Sequence, residues 1–66
     1  MNNKIKELRK SVGFTQDDLA QKLEVSRQTI ISIEKGRYNP SIMLAYNIAK
    51  VFNKTIEEVF IFEEEA

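Results

Sequence analysis

The sequence predicts an all-α domain built from five short helices. Three observations predict it. Apolar residues recur at helical spacing along most of the chain, helix-starting residues precede several of those runs, and Gly13 and Gly36 stand where runs end. At 66 residues the chain has room for one small domain, residues 1–66, and it contains no repeat or linker.

The first helix is expected from about Asn3 to Ser11, with Ile5, Leu8 and Val12 in helical register and Gly13 as its stop. Thr15 is placed to cap the second, with Asp17 and Asp18 near the positive end of the helix dipole. This helix runs to about Leu23 and buries Leu19, Ala20 and Leu23. Ser26 caps the third, which buries Ile30 and Ile33 and ends at Lys35-Gly36. Arg37-Tyr38-Asn39-Pro40 reads as a loop, because the proline pushes Asn39 away from helical angles. Pro40 or Ser41 opens the fourth helix, whose stripe is Leu44, Ala45, Ile48, Ala49 and Phe52. Asn53-Lys54 is a short connection. Thr55-Ile56-Glu57-Glu58 matches a capping box and opens a fifth helix, with Ile56, Val59 and Phe60 on one side.

The end of the chain leaves two arrangements open. Val59-Phe60-Ile61-Phe62 is four apolar residues in a row, more than one face of a helix or strand can cover. Either Phe60 to Phe62 turn extended, or a second copy of the chain buries some of them. Glu63 to Ala66 is expected to be frayed and solvated.

Composition narrows the function. The chain has no cysteine and no histidine, so disulfides, thiolate zinc sites and the commonest general base are all missing. Asp17-Asp18 and Glu57-Glu58 are neighbours on helices, where adjacent side chains diverge. No nucleophile or glycine-rich phosphate loop accompanies them, so they read as charges at helix starts, and an enzyme is not expected. No cofactor or metal is expected either. The N-terminus does not read as a signal peptide and no run approaches the length of a membrane span, so a cytoplasmic protein is the default.

Formal net charge is zero, but it is unevenly spread. Residues 1–54 carry ten basic and five acidic residues, a net of +5, and residues 55–66 carry five acids and no base, a net of −5. With the acidic end held away from a basic face, attraction to phosphate survives the neutral total.

Residues 15–36 hold two short helices, each with its own start signal, joined by a turn too tight for them to lie side by side. The second of the two buries one face and presents Arg27, Gln28, Ile31, Ser32 and Lys35 on the other. That layout is a helix-turn-helix, which sets one helix into the major groove of DNA.

The segment resembles the Cro/repressor, or xenobiotic-response-element, family of helix-turn-helix regulators. The resemblance covers about residues 4–60. It rests on Gly-Phe-Thr-Gln (13–16), Leu-Ala-Gln-Lys-Leu (19–23), Val-Ser-Arg-Gln-Thr-Ile (25–30), Ile-Glu-Lys-Gly (33–36) and Asn-Pro-Ser (39–41). The short ending is similar to the single-domain, cytolysin-repressor-like type. The resemblance implies a compact five-helix, lambda-repressor-like DNA-binding domain. One departure is Glu24, where many members place glycine; a left-handed glutamate there costs about 1 kcal/mol.

The family's base-reading positions carry over to Arg27, Gln28, Ile31 and Ser32. Arginine can grip guanine and glutamine adenine through paired hydrogen bonds, each worth about 1–3 kcal/mol of discrimination. Ile31 has two readings, a surface or packing residue and a contact to a thymine methyl. Gln16, Ser26, Lys35, Arg37, Tyr38 and Asn39 are candidates for gripping phosphate and setting register. The resemblance also implies a scaffold ion pair between Arg9 and Glu34.

These readings converge on a sequence-specific regulator binding double-stranded DNA, expected to be a repressor acting as a homodimer on a near-palindromic operator. Half-sites would lie about 34 Å apart. The dimerisation region is expected within about residues 41–62, with Ile56, Phe60 and Phe62 as candidate anchors. The alternatives are an antitoxin that also clasps a toxin, and a protein-interaction module using the same scaffold.

Overall fold

Four of the five helices begin where a hydroxyl takes over a backbone donor that the helix itself leaves unpaired. In the computed structural model, which describes residues 1–62, α2 (Gln16–Leu23) follows Thr15, whose side chain accepts from the Asp18 N–H. α3 (Arg27–Glu34) follows Ser26, which accepts from Thr29, and α4 (Ile42–Val51) follows Ser41, which accepts from Leu44. α5 (Ile56–Val59) follows Thr55, which accepts from Glu58. Thr15–Asp18 and Thr55–Glu58 are complete capping boxes, since each acid reaches back to the N–H of its threonine.

The first helix departs from expectation. α1 spans Ile5–Val12 and has no side-chain cap at Lys4. Asn3 is not its first residue. The Asn3 Oδ1 accepts from the Ile5 N–H at 3.2 Å, while its Nδ2 donates to the Ile33 carbonyl at 2.9 Å. Val12 lies outside the buried stripe and is 54% exposed, because Gly13 turns the chain left-handed directly after it (φ 87°). Leu23 is only half-buried.

All five helices are knit into one core. Ile5 from α1, Leu19 from α2, Ile30 and Ile33 from α3, Ile48 from α4 and Val59 from α5 are almost wholly withdrawn from water. Phe14 lies at the edge of this core, its ring 6.4 Å from that of Phe52 and covered by the Lys22 ammonium at 4.8 Å.

The end of the described residues takes the extended arrangement. Phe60 leaves α5 at φ −106°, ψ 136° and forms an isolated antiparallel bridge with Asn3. The Lys4 N–H donates to the Val59 carbonyl at 2.8 Å and the Ile61 N–H to the Asn2 carbonyl at 2.9 Å. The bridge swings the Phe60 ring inward, leaving it 2% exposed. Phe60 is therefore a core residue with no surface to offer a second copy, which corrects its assignment as an interface anchor. Phe62 stays exposed and Ile56 half-buried. The expectation of a frayed Glu63–Ala66 lies outside the described residues. Among those described, no helix is long and apolar enough to cross a membrane.

Candidate nucleic-acid interface

The geometry of the candidate site follows from how α2 ends. Glu24 adopts the left-handed conformation (φ 58°, ψ 42°), and its N–H closes onto the last turn of α2. The Val25 N–H then donates to the Ala20 carbonyl at 3.0 Å. Three residues, Glu24 to Ser26, thus separate α2 from α3 and force the two helices to cross. Ile30 and Ile33 pin one side of α3 into the core shared with Leu19 and Ala20.

The opposite side of α3 is open. Arg27 and Gln28 are exposed on its first turn, and Ile31 and Ser32 are half-buried one turn further on. Lys35 is exposed at the C-terminal cap. The predicted base-reading residues therefore share one accessible face, with two members exposed and two half-buried. The Ser26 hydroxyl is engaged by the Thr29 N–H at 3.1 Å and by the Thr29 hydroxyl at 2.9 Å. Arg37, Tyr38 and Asn39 project into solvent from the loop after α3, which is anchored by the Arg37 N–H donating to the Ser32 carbonyl at 3.0 Å.

Behind this face lies a desolvated ion pair. Arg9 Nε donates to Glu34 Oε2 at 2.8 Å, and Nη2 reaches Oε1 at 3.3 Å. The remaining Arg9 Nη1 donates to the Phe14 carbonyl at 3.0 Å, and both side chains are over nine-tenths withdrawn from solvent. A fork-on-fork arrangement with its donors satisfied is how a buried pair offsets its desolvation. It ties the end of α3 to α1, as the resemblance implied. Gln16 joins this network, its Nε2 donating to Glu34 Oε1 at 3.2 Å. One of its side-chain N–H groups is thus already committed to the scaffold. A phosphate contact from Gln16 is left with its backbone N–H or the second N–H of Nε2.

Two features escaped the sequence reading. One is the Asn3 link to Ile33, which is non-local; its only trace is an asparagine two residues ahead of the first buried isoleucine. The other is an ion pair between Arg27 Nε and Asp17 Oδ1 at 3.9 Å, across the turn. In the sequence both acids read as charges at a helix start, and the one signal that separates them is the capping-box spacing of Asp18 from Thr15. The structure separates them. The Thr15 backbone N–H, donating to Asp18 Oδ2 at 2.9 Å, holds the Asp18 carboxyl below its ordinary pKa, and the Thr15 hydroxyl adds to the effect. The Thr55 N–H lowers Glu58 in the same way.

Comparison with known proteins agrees with this geometry. A family model described as helix-turn-helix matches residues 5–59. An uncharacterized HTH-type transcriptional regulator of Methanocaldococcus jannaschii is 57% identical over 65 residues, covering 98% of each chain. Another from Archaeoglobus fulgidus is 54% identical over 65 residues, covering 98% of this chain and 93% of its own. A solved complex of the SinR and SinI proteins superposes with a TM-score of 0.74 at 31% identity, over 82% of this chain and 53% of the other. None of these three is named an antitoxin, so that alternative gains no support.

Proposed function

The chain belongs to the helix-turn-helix family of DNA-binding transcriptional regulators, which are not enzymes, and from that premise we propose that it is a repressor acting as a homodimer on a near-palindromic operator. The observation that carries this reading is the two-sided character of α3. Ile30 and Ile33 fix the helix to the core, while Arg27 and Gln28 stand exposed on its first turn. Arg27, Gln28, Ile31 and Ser32 read bases. Ser26, Lys35, Arg37, Tyr38, Asn39 and the N-terminal turn at Gln16 grip phosphate and set register.

One helix-turn-helix reads only a few base pairs, so a two-fold pair is the natural way to reach specificity. Exposed apolar side chains on and beyond α4 support such a pair: Ile42 is 78% and Phe62 53% exposed, with Tyr46 half-exposed and Ile56 half-buried beside them. A dimer seated across two half-sites blocks the duplex by occupancy alone, which favours repression. That role places the protein in the cytoplasm with its DNA.

The test is selection of bound duplexes from a random pool. An enriched inverted repeat supports the whole reading. Enrichment of a single unrepeated site removes the dimer, and no enrichment removes sequence-specific recognition. On the selected duplex, Gln28→Ala is expected to relax preference at one or two base pairs, by about 1–3 kcal/mol. Arg37→Ala weakens all sequences alike and lowers the salt slope by about 1. A fluorescent reporter behind the selected site should fall in output when the protein is expressed.

A further inference from the structure

We propose that Asp17 is a specificity-determining residue, positioning Arg27 for guanine while lowering the affinity for a duplex of any sequence. The proposal deepens the base-reading role given to Arg27 above and rests on it. Two acids stand in the first turn of α2, and only one has a structural task. Asp18 closes the capping box with Thr15. Asp17 takes no part in that cap; its carboxylate instead lies across the turn, 3.9 Å from the Nε edge of Arg27. Both side chains remain well exposed, so the pair contributes little to folding.

Its position makes the pair useful for recognition. Asp17 Oδ1 lies 3.9 Å from Nε, so an end-on approach to a base through the two Nη groups is compatible with the ion pair. That Nη pair forms a fork able to meet the O6 and N7 acceptors of guanine together. A carboxylate on the Nε side narrows the orientations of a long, flexible arginine before the duplex arrives, so less freedom is lost when the correct base is met.

The second effect comes from the surroundings. Asp17 lines a groove with Arg9, Lys10, Gln16 and Arg27, and it is the one acid among the described residues there. Arg9 is committed to Glu34, so Lys10 and Arg27 remain to attract phosphate. A carboxylate among them repels the duplex backbone whatever its sequence. Acting alone, that repulsion lowers both affinities equally and leaves their ratio unchanged. Specificity is a difference of affinities, so the ratio rests on the orientation of Arg27, which only a site offering guanine rewards.

The experiment uses the full chain, a duplex selected by the wild-type protein from a random pool, and a scrambled duplex of the same composition. Asp17→Asn is expected to bind both more tightly, the scrambled duplex gaining most. The ratio of the two affinities falls by about threefold, as suits an exposed pair. Asp17→Glu restores most of the ratio. In an Arg27→Ala background, Asp17→Asn tightens both duplexes equally, because only the repulsion is left to remove. An unchanged ratio in Asp17→Asn overturns the assignment, and so does a loss of ratio that persists without Arg27. Wild-type protein that binds both duplexes alike overturns the Arg27 reading and this proposal together, which separates that failure from the others.

Discussion

Gln28 and Arg37 on one surface, Ile42 and Phe62 on another, are all left open to water, yet they burden the molecule differently. The first two lose nothing in solvent, because hydration satisfies an amide and a guanidinium. Ile42 and Phe62 hold hydrocarbon in water, at about 25 cal/mol for every Å² that remains uncovered. The polar surface therefore gains only when a charged polymer brings counterions to release. The apolar surface gains as soon as any complementary apolar surface arrives. Under the proposed function one molecule carries two recognition surfaces with separate driving forces, and salt should weaken the first far more than the second.

The sharpest way to break this contrast lies two residues apart in the tail. Phe60→Ala deletes a ring that is 2% exposed and should cost about 3–5 kcal/mol in urea unfolding, close to the whole stability of a domain this small. Phe62→Ala removes a ring that is 53% exposed. It should leave monomer stability within about 0.5 kcal/mol and instead reduce self-association in analytical ultracentrifugation. Equal losses of stability from both variants would mean that the tail belongs wholly to the core and that the proposed interface has lost its anchor.

The polar half has its own buried exception. Glu34→Ala leaves the Arg9 guanidinium desolvated and removes two of its three hydrogen bonds, and should cost about 3 kcal/mol of stability. Removing both partners together with Arg9→Met and Glu34→Leu should cost much less, because no charge is then stranded. Chemical denaturation of the two variants decides it. A double variant no better than the single one would place the contribution in the Gln16 and Phe14 contacts instead.

The two halves were not equally legible in the sequence. Helix starts were, because capping is a local agreement between a hydroxyl and a donor three residues on. Ser26, Thr15 and Thr55 announced their helices on that basis. The pinned and open sides of α3 were legible too, since Ile30 and Ile33 lie on one side of a helical period and Arg27 and Gln28 on another. What could not be read was pairing across long separations. The Asn3–Phe60 bridge joins the two ends of the described chain; helical spacing puts Val59 and Phe60 on one side, but no local pattern marks the partner segment at Asn3. Val12 is a local exception: it keeps helical register with Ile5 and Leu8 but is the last residue before the turn at Gly13 and stays exposed. The Arg9–Glu34 pair is equally non-local and became visible only through resemblance.

Two matched capping boxes allow a finer comparison, one on each half. Thr15→Ala and Thr55→Ala should each cost about 1 kcal/mol. If the halves fold as one unit, both losses appear in a single transition. Acid should act on the same two sites. The pKa values of Asp18 and Glu58 are depressed in the folded state. Their contribution is therefore complete above the ordinary carboxylate pKa and is lost as pH falls through the lower, folded value. Thermal melts followed by circular dichroism from neutral to acid should show this decline, and Asp18→Asn with Glu58→Gln should flatten it. A decline of unchanged size in the double variant would assign acid sensitivity to other carboxylates.

The smallest expected effect isolates backbone strain. Glu24 and Asn53 both take the left-handed conformation at φ 58°, one ending α2 and the other following α4. The backbone solution is the same in each half, but the residues differ. Asparagine tolerates this region because its short side chain bonds locally, whereas a glutamate lacks that help. Glycine removes the steric penalty at either site and adds freedom to the unfolded chain, an opposing effect. At Glu24 the relief should win, so Glu24→Gly should stabilise by a few tenths of a kcal/mol, up to about 0.5. At Asn53 little strain exists to relieve, and Asn53→Gly should be neutral or slightly destabilising. Paired urea titrations at one pH can resolve that difference in sign. If the two glycines behave alike, the penalty at Glu24 is already offset by its surroundings. The turn between α2 and α3 would then hold its left-handed residue as comfortably as the turn after α4.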